Sequence, residues 1–193
     1  MQDLYKITEI FRKGGVVIFP TDTAYAIGCR IDNKAAIKRL FKIKNRPEGQ
    51  ATPVLVDSIS MAEKYLLSPI PKDVRFFMRK YWPGGLTIIY PCKIKKVPFL
   101  VRGGGKTLGV RMPDHKLVLS IIKNIGVPIL GSSANFHGLP TPYTFDSLDK
   151  KLIKLADWVI KGRCQTGRVS TVVDCSDTSW KILRQGALRI KNL

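Results

Sequence analysis

Histidine and acidic side chains are scarce in this chain. Among 193 residues there are two histidines, His115 and His137, and 14 Asp and Glu against 33 Lys and Arg. Four cysteines occur, Cys29, Cys92, Cys164 and Cys175, none spaced as CxxC. Together these shortages argue against a zinc site and leave the cysteines as reduced thiols. No HExxH, no Ser–His–Asp order and no GxxxxGK[ST] phosphate loop is present. No apolar run reaches the roughly 18 residues of a membrane span. The opening MQDLYKITEIF lacks the apolar centre of a signal peptide and reads instead as a helix with Leu4, Ile7 and Phe11 inward. A soluble, cytoplasmic protein is expected. There is no internal repeat, low-complexity segment or linker, so residues 1–193 are expected to form one domain.

What is abundant is positive charge. The formal net charge is +19, distributed as +5, +5, +3 and +6 over residues 1–50, 51–100, 101–150 and 151–193. The whole chain is basic, rather than one arm of it. Such a field attracts polyanions, above all nucleic acid. A basic proteome or a solubility requirement would produce the same balance.

The stretch from Gly14 to Arg46 organises the rest. Val16 to Phe19 reads as a strand buried on both faces, bounded by glycines and by Pro20, which has no N–H to donate. Thr21, Asp22 and Thr23 follow, either an ordinary turn or the ligand-bearing exit of a buried strand. Asn33 then caps a helix with Ala36, Ile37, Leu40, Phe41 and Ile43 on its apolar face, ending near Asn45 before Pro47. Lys38, Arg39, Lys42, Lys44 and Arg46 crowd nine residues, more cations than a helix C-terminus calls for. A phosphate-bearing ligand would account for the excess.

Further strands are expected at 53–56, 86–90, 107–112, 127–130, 158–160, 171–173, 181–183 and 187–190. Helices are expected from Ser58 to Leu67, Pro71 to Tyr81, Pro113 to about Gly126 and Ser147 to Leu155. Residues 91–106 read as a loop, and Gly103 to Gly105 beside its cations suit either a mobile segment or an anion-facing backbone. Thr23, Arg111, Ser133 and Asn135 all fall where buried strands end. Hydroxyls, amides and fixed cations without an evident base suit chemistry done by positioning and charge stabilisation, as in phosphoryl or nucleotidyl transfer.

Seven motifs in order carry a resemblance: PTDTAYAIG (20–28), Lys44-Asn45-Arg46-Pro47, WPGGLT (82–87), TLGVRMP (107–113), Ser133-Ala134-Asn135, STVVD (170–174) and ILRQG (182–186). From Gly14 to about Gly186 the chain resembles the YrdC-like family, the threonylcarbamoyl-AMP synthases. The resemblance implies an α/β fold, a twisted open mixed sheet with surrounding helices and a large, positively charged concave cavity. It implies a nucleotidyltransferase that joins L-threonine, bicarbonate and ATP into threonylcarbamoyl-adenylate and pyrophosphate. Partner proteins then move the threonylcarbamoyl group to an adenosine beside the anticodon of tRNA. Mg2+ carried by the nucleotide is implied as well.

The same resemblance implies roles. Thr23 and Arg111 are expected on threonine, the guanidinium holding its carboxylate. Lys44 and Arg46 are expected on the nucleotide phosphates. Thr107, Ser133, Asn135, Thr141, Ser170 and Arg184 are expected to hold ATP. Departures stand beside these matches. Thr52-Pro53-Val54 lies two residues later than the family's Asn-Pro-Leu, Asp57 lies where many members have His, Gln185 replaces proline and Thr141 replaces serine. The end at Leu193 matches the short, single-domain type. Two alternatives remain from the wider family: a basic protein that binds double-stranded or ribosomal RNA without synthase activity, and carbamoyl transfer to another acceptor.

Overall fold

The structure, a computed structural model, describes residues 4–190. It is a mixed α/β fold built on two twisted open sheets. Helix α1 (Leu4–Arg12) buries Ile7, Thr8 and Phe11, with Leu4 half-buried. Strand β1 (Val17–Pro20) is buried throughout and turns at residues 21–24 into β2 (Tyr25–Gly28), its antiparallel partner. Pro20 is the last paired residue of β1, where its missing N–H costs least. In helix α2 (Lys34–Lys44) the Asn33 carbonyl Oδ1 accepts from the Ala36 N–H at 2.9 Å. Asn45 ends it in the left-handed region, φ 51°, which Asn tolerates better than most residues.

Strand β3 (Val54–Leu55) precedes α3 (Ile59–Glu63), which Ser58 caps through the Met61 N–H, and α4 (Lys72–Tyr81). The hairpin β4 (Leu86–Pro91) and β5 (Thr107–Arg111) follows, then α5 (Lys116–Ile125), β6 (Ile129–Leu130), β7 (Ser132–Ser133) and α6 (Lys150–Leu155). Strands β8 (Trp158–Val159), β9 (Thr171–Asp174) and β10 (Lys181–Arg184) complete the chain. One sheet has the order β7-β2-β1-β8, the other β10-β9-β4-β5-β3-β6. Both mix parallel and antiparallel pairs. No helix among the described residues is long and apolar enough to cross a membrane.

The sheets meet at residues 129–133. Strand β6 pairs with β3 in the larger sheet, and β7 pairs with β2 in the smaller one two residues later. Gly131 makes the crossing, and its N–H donates to the Pro53 carbonyl at 2.9 Å. A Cβ there would sit 2.5 Å from the Leu55 Cγ.

Several expectations change in detail. The run after Thr23 forms β2, so the first strand ends in an antiparallel hairpin rather than at an open sheet exit. The 113–126 helix starts at Lys116, because His115 supplies the cap through Nδ1. The helix after Ser58 stops at Glu63, and residues 187–190 form no strand. The backbone N–H groups of Gly103, Gly104 and Gly105 donate to Leu100, Phe99 and Arg102 carbonyls at 3.2, 3.1 and 3.0 Å. They are therefore spent inside the loop, not presented to an anion.

The packing of the seam makes Gly28 irreplaceable. A Cβ at Gly28 would lie 1.9 Å from the Leu130 carbonyl oxygen, a backbone atom that cannot rotate away. Gly28→Ala should lower stability by at least about 2 kcal/mol, the middle of the range for overpacking. Gly49→Ala, with open space around it, should change stability by less than about 0.5 kcal/mol. Thermal melts of the two variants check this, and equal melting temperatures would contradict the packing.

Candidate functional site

A cavity of about 180 Å³ opens along the seam between the sheets. The β1–β2 turn brings Thr21 and Thr23, β5 brings Arg111, and β7 brings Ser132 and Ser133. Thr87 from β4, Ser170 before β9 and Arg184 at the end of β10 close another side, with Arg46 and Thr141 completing the wall. Thr23, Arg46, Arg111, Ser133, Thr141, Ser170 and Arg184, far apart in sequence, thus line one space.

Arg111 is the centre of this arrangement. It is 6% exposed, and its side chain reaches from the larger sheet to the smaller one. Nε donates to the Gly84 carbonyl at 2.9 Å, Nη1 to Thr23 Oγ1 at 2.6 Å, and Nη2 to an Asp22 carboxylate oxygen. Asp22 is as buried as its partner, so the ion pair neutralises a charge that burial alone would make costly. A guanidinium has five N–H donors. Three are committed, which leaves one on each terminal nitrogen. Arg111 lines the cavity, and a guanidinium with N–H groups to spare is a group that suits a carboxylate.

Thr21 Oγ1 and Thr23 Oγ1 lie 3.1 Å apart, and Thr21 Oγ1 donates to the Ala24 carbonyl at 2.8 Å. These bonds hold the turn that carries Asp22. On the opposite side Arg184 donates through Nε to the Ser170 carbonyl at 3.0 Å and through Nη2 to Ser170 Oγ at 3.1 Å. Ser170 Oγ is in turn 2.9 Å from Thr87 Oγ1. Arg46 donates to the Gln50 and Ala51 carbonyls at 3.2 and 2.5 Å. Burial lowers the pKa of both Arg46 and Arg184. Guanidinium groups stripped of part of their water favour an anionic partner.

Lys44 and Asn135 stand behind the wall rather than in it. Lys44 is 2% exposed, and its ammonium donates to the carbonyls of Ser133 and Asn135, the latter at 2.6 Å, and to Asn135 Oδ1 at 3.4 Å. Asn135 Oδ1 also accepts from Ser133 Oγ at 2.6 Å. The lysine therefore sets the shape of the loop that presents Ser133. Thr107 is outside the cavity lining. Alternation does put it on the same face of β5 as Arg111, but four residues of strand are about 13 Å, so the two side chains do not share this space.

Sequence reasoning assigned no role to Thr87 or Ser132, and left Thr21 and Asp22 as either turn residues or ligand-bearing ones. Asp22 and Thr87 sit inside the quoted motifs, so their signal was present without a partner to interpret it. Ser132 is different. Its buried hydroxyl has no partner among the described residues although it lines the cavity. An unpaired buried hydroxyl on a residue of the cavity wall is a group that a ligand or a water could satisfy.

A family profile described as "Telomere recombination", for Sua5, YciO and YrdC, matches residues 9–186. The chain is 36% identical over 183 residues to the threonylcarbamoyl-AMP synthase of Bacillus subtilis, covering 93% of this chain and 52% of that protein. The crystal structure of Pyrococcus abyssi Sua5 complexed with L-threonine superposes with a TM-score of 0.87 at 30% identity, over 95% of this chain and 54% of that one. The crystal structure of Escherichia coli YciO superposes with a TM-score of 0.84 at 29% identity, over 95% and 88%. The chain spans about half the length of the curated synthases from Bacillus subtilis and Pyrococcus abyssi.

Lys44 generates a pH prediction. Burial first, and then the nearby Arg46 charge, push its pKa from 10.5 down to about 7, while its three oxygen acceptors hold the ammonium form. Between those values the unfolded chain binds more protons at this site than the folded one, so stability rises with pH. Lys44→Met removes that slope. The melting temperature of the wild type relative to Lys44→Met should therefore climb from pH 7 to pH 9. A difference independent of pH would mean that Lys44 titrates as an exposed lysine does.

Proposed function

The chain belongs to the Sua5–YciO–YrdC family, and on that premise we propose that it is a threonylcarbamoyl-AMP synthase. The observation that carries the reading is the buried Arg111 guanidinium on the cavity wall. Arg111 keeps one uncommitted N–H on each terminal nitrogen and lines a cavity whose other cations are Arg46 and Arg184. One ligand carboxylate and one polyphosphate match that division of charge. Threonine lies against Arg111 and Thr23. ATP lies along Arg46, Ser133, Thr141, Ser170 and Arg184, with Ser132 and Thr87 as further hydroxyls beside it.

The reaction follows from that placement. The amino group of threonine adds to bicarbonate with loss of water and a proton to solvent, giving N-carboxy-threonine, and an oxygen of its N-carboxylate attacks the α-phosphorus of ATP. A P–O bond forms there as the bond to the bridging oxygen breaks, and the electron pair leaves with pyrophosphate. Arg46 and Arg184 bear the growing negative charge, a form of catalysis that needs no proton acceptor from the chain. Lys44 and Asn135 act as positioning residues through the Ser133 loop.

Magnesium does not fit as a protein-held ion. The lining carries hydroxyls and guanidinium groups, and among the described residues no group of three His, Cys, Asp or Glu could hold a metal. Any Mg2+ is assigned to the nucleotide phosphates, and no step here runs through it. The product is an activated carbamoyl donor for tRNA modification by partner proteins.

The direct test is pyrophosphate release from ATP by the purified chain. Release should require threonine and bicarbonate together; release without threonine would refute the reading. Arg46→Ala should lower turnover about tenfold to a hundredfold, the cost of one charge-assisted contact, while the protein still melts cooperatively, at a lower temperature because the bonds to the Gln50 and Ala51 carbonyls are lost. Arg111→Lys keeps the charge and loses the fork. Isothermal titration should then show threonine affinity falling at least about tenfold with ATP affinity unaltered. Loss of ATP binding instead would reverse the assignment of the two substrates.

A further inference from the structure

A second cavity, about 540 Å³, lies away from the seam, between α2 and the loop at residues 94–102. Ile31, Ile37, Val97 and Leu100 form its apolar floor. Lys34 and Lys38 from the helix and Lys95 and Lys96 from the loop rim it, all exposed. Its one acid, Asp32, is already held by Arg30 through two bonds of 2.9 and 2.7 Å. The uncompensated charge of the groove is therefore positive.

Phe99 stands in this groove with 59% of its surface exposed, and Ile94 beside it with 52%. The ring is held from behind. The Arg102 guanidinium lies 5.5 Å from its centroid, and Arg102 is itself tied to the Val97 and Gly104 carbonyls at 3.3 and 3.1 Å. Gly104, at φ 77°, lets the ring approach so closely that a Cβ would lie 3.0 Å from it. An aromatic ring braced by a cation and more than half exposed is a candidate stacking platform.

The helix adds a pitch to the charge. Lys34, Lys38 and Lys42 follow one another at four-residue steps on one face of α2, and all three are exposed. Each step rises about 6 Å, which suits successive phosphates of an extended strand. Arg39, in the same run, is spent on Asp157 at 2.5 and 3.0 Å and points elsewhere.

We propose that this groove binds single-stranded RNA, with an unpaired base stacked on Phe99 and flanking phosphates on Lys34, Lys38, Lys95 and Lys96. The chemistry separates this occupant from others. A duplex keeps its bases stacked inside and gives Phe99 nothing to face. An acidic peptide would use the lysines and leave the ring and the apolar floor without purpose. The site is independent of the synthase reading, since none of these residues lines the seam cavity.

Fluorescence anisotropy of the full chain with a short labelled oligouridine tests the proposal. Phe99→Ala should weaken binding about tenfold, the scale of one lost base stack, and Phe99→Tyr should retain it. Lys38→Ala and Lys95→Ala should each reduce the slope of log affinity against log salt by about 0.7. Pyrophosphate release by Phe99→Ala should match the wild type. The proposal is overturned by any of four results: no binding of oligouridine, equal binding by Phe99→Ala, a duplex of the same length bound as tightly as the single strand, or preference for anionic phospholipid vesicles. Reduced pyrophosphate release by Phe99→Ala would instead assign the groove to the reaction and overturn it as well.

Discussion

The ion pair between Arg111 and Asp22 is the constraint on which the site depends. It joins two sheets that otherwise meet at residues 129–133. Burying both charges is costly, and the cost is tolerable because each is the other's partner and Arg111 makes further hydrogen bonds to Gly84 and Thr23. The Arg111 side chain also anchors the turn at Gly84, so β4, β5 and the β1–β2 turn converge on one guanidinium. A residue proposed to recognise a substrate is thus one that the architecture already needs. Recognition and sheet docking share a single set of donors, and the donors left over define what can bind.

A similar division of labour explains the cation cluster on α2. Helical geometry sends its members in different directions. Lys38 faces the second groove, Arg39 pairs with Asp157, Lys44 is buried under the Ser133 loop and Arg46 lines the seam cavity. Only some of the positive charge is therefore available to a ligand at either place. The Lys44 contact is the one that links the helix to the site, because it fixes the backbone from which Ser133 projects. Polar groups buried with all their partners specify a shape as well as contributing stability.

Much of this was legible in the residues. Asn33 announced its cap, Asn45 and Pro47 announced the end of α2, and the apolar runs announced β1, β3, β4 and β5. The resemblance implied ligand roles for Thr23, Arg46, Arg111, Ser133, Thr141, Ser170 and Arg184, and these residues line one cavity. The strand order was not legible, since short apolar runs do not state their neighbours. Strand β7 was missed because two serines have no strand signature; tertiary pairing with β2 makes them one. Thr107 shows the limit of periodicity. It gave the correct face of β5 but not the distance along it. The partner of Asp22 also lay beyond reach, because Arg111 is 89 residues away in the chain.

Residues 129–133 belong to both sheets within five positions, with Gly131 at the crossing and Leu55 pressed against it. The back of the cavity is therefore inherited as a unit. A larger residue at Gly131 must displace Leu55, and a shift in register would rotate the hydroxyls of Ser132 and Ser133 out of place. Arg184 and Thr141 come from the chain's later segments and reach the cavity without passing through this crossing. One inserted or deleted residue at this crossing would therefore disturb both sheets and the cavity wall at once.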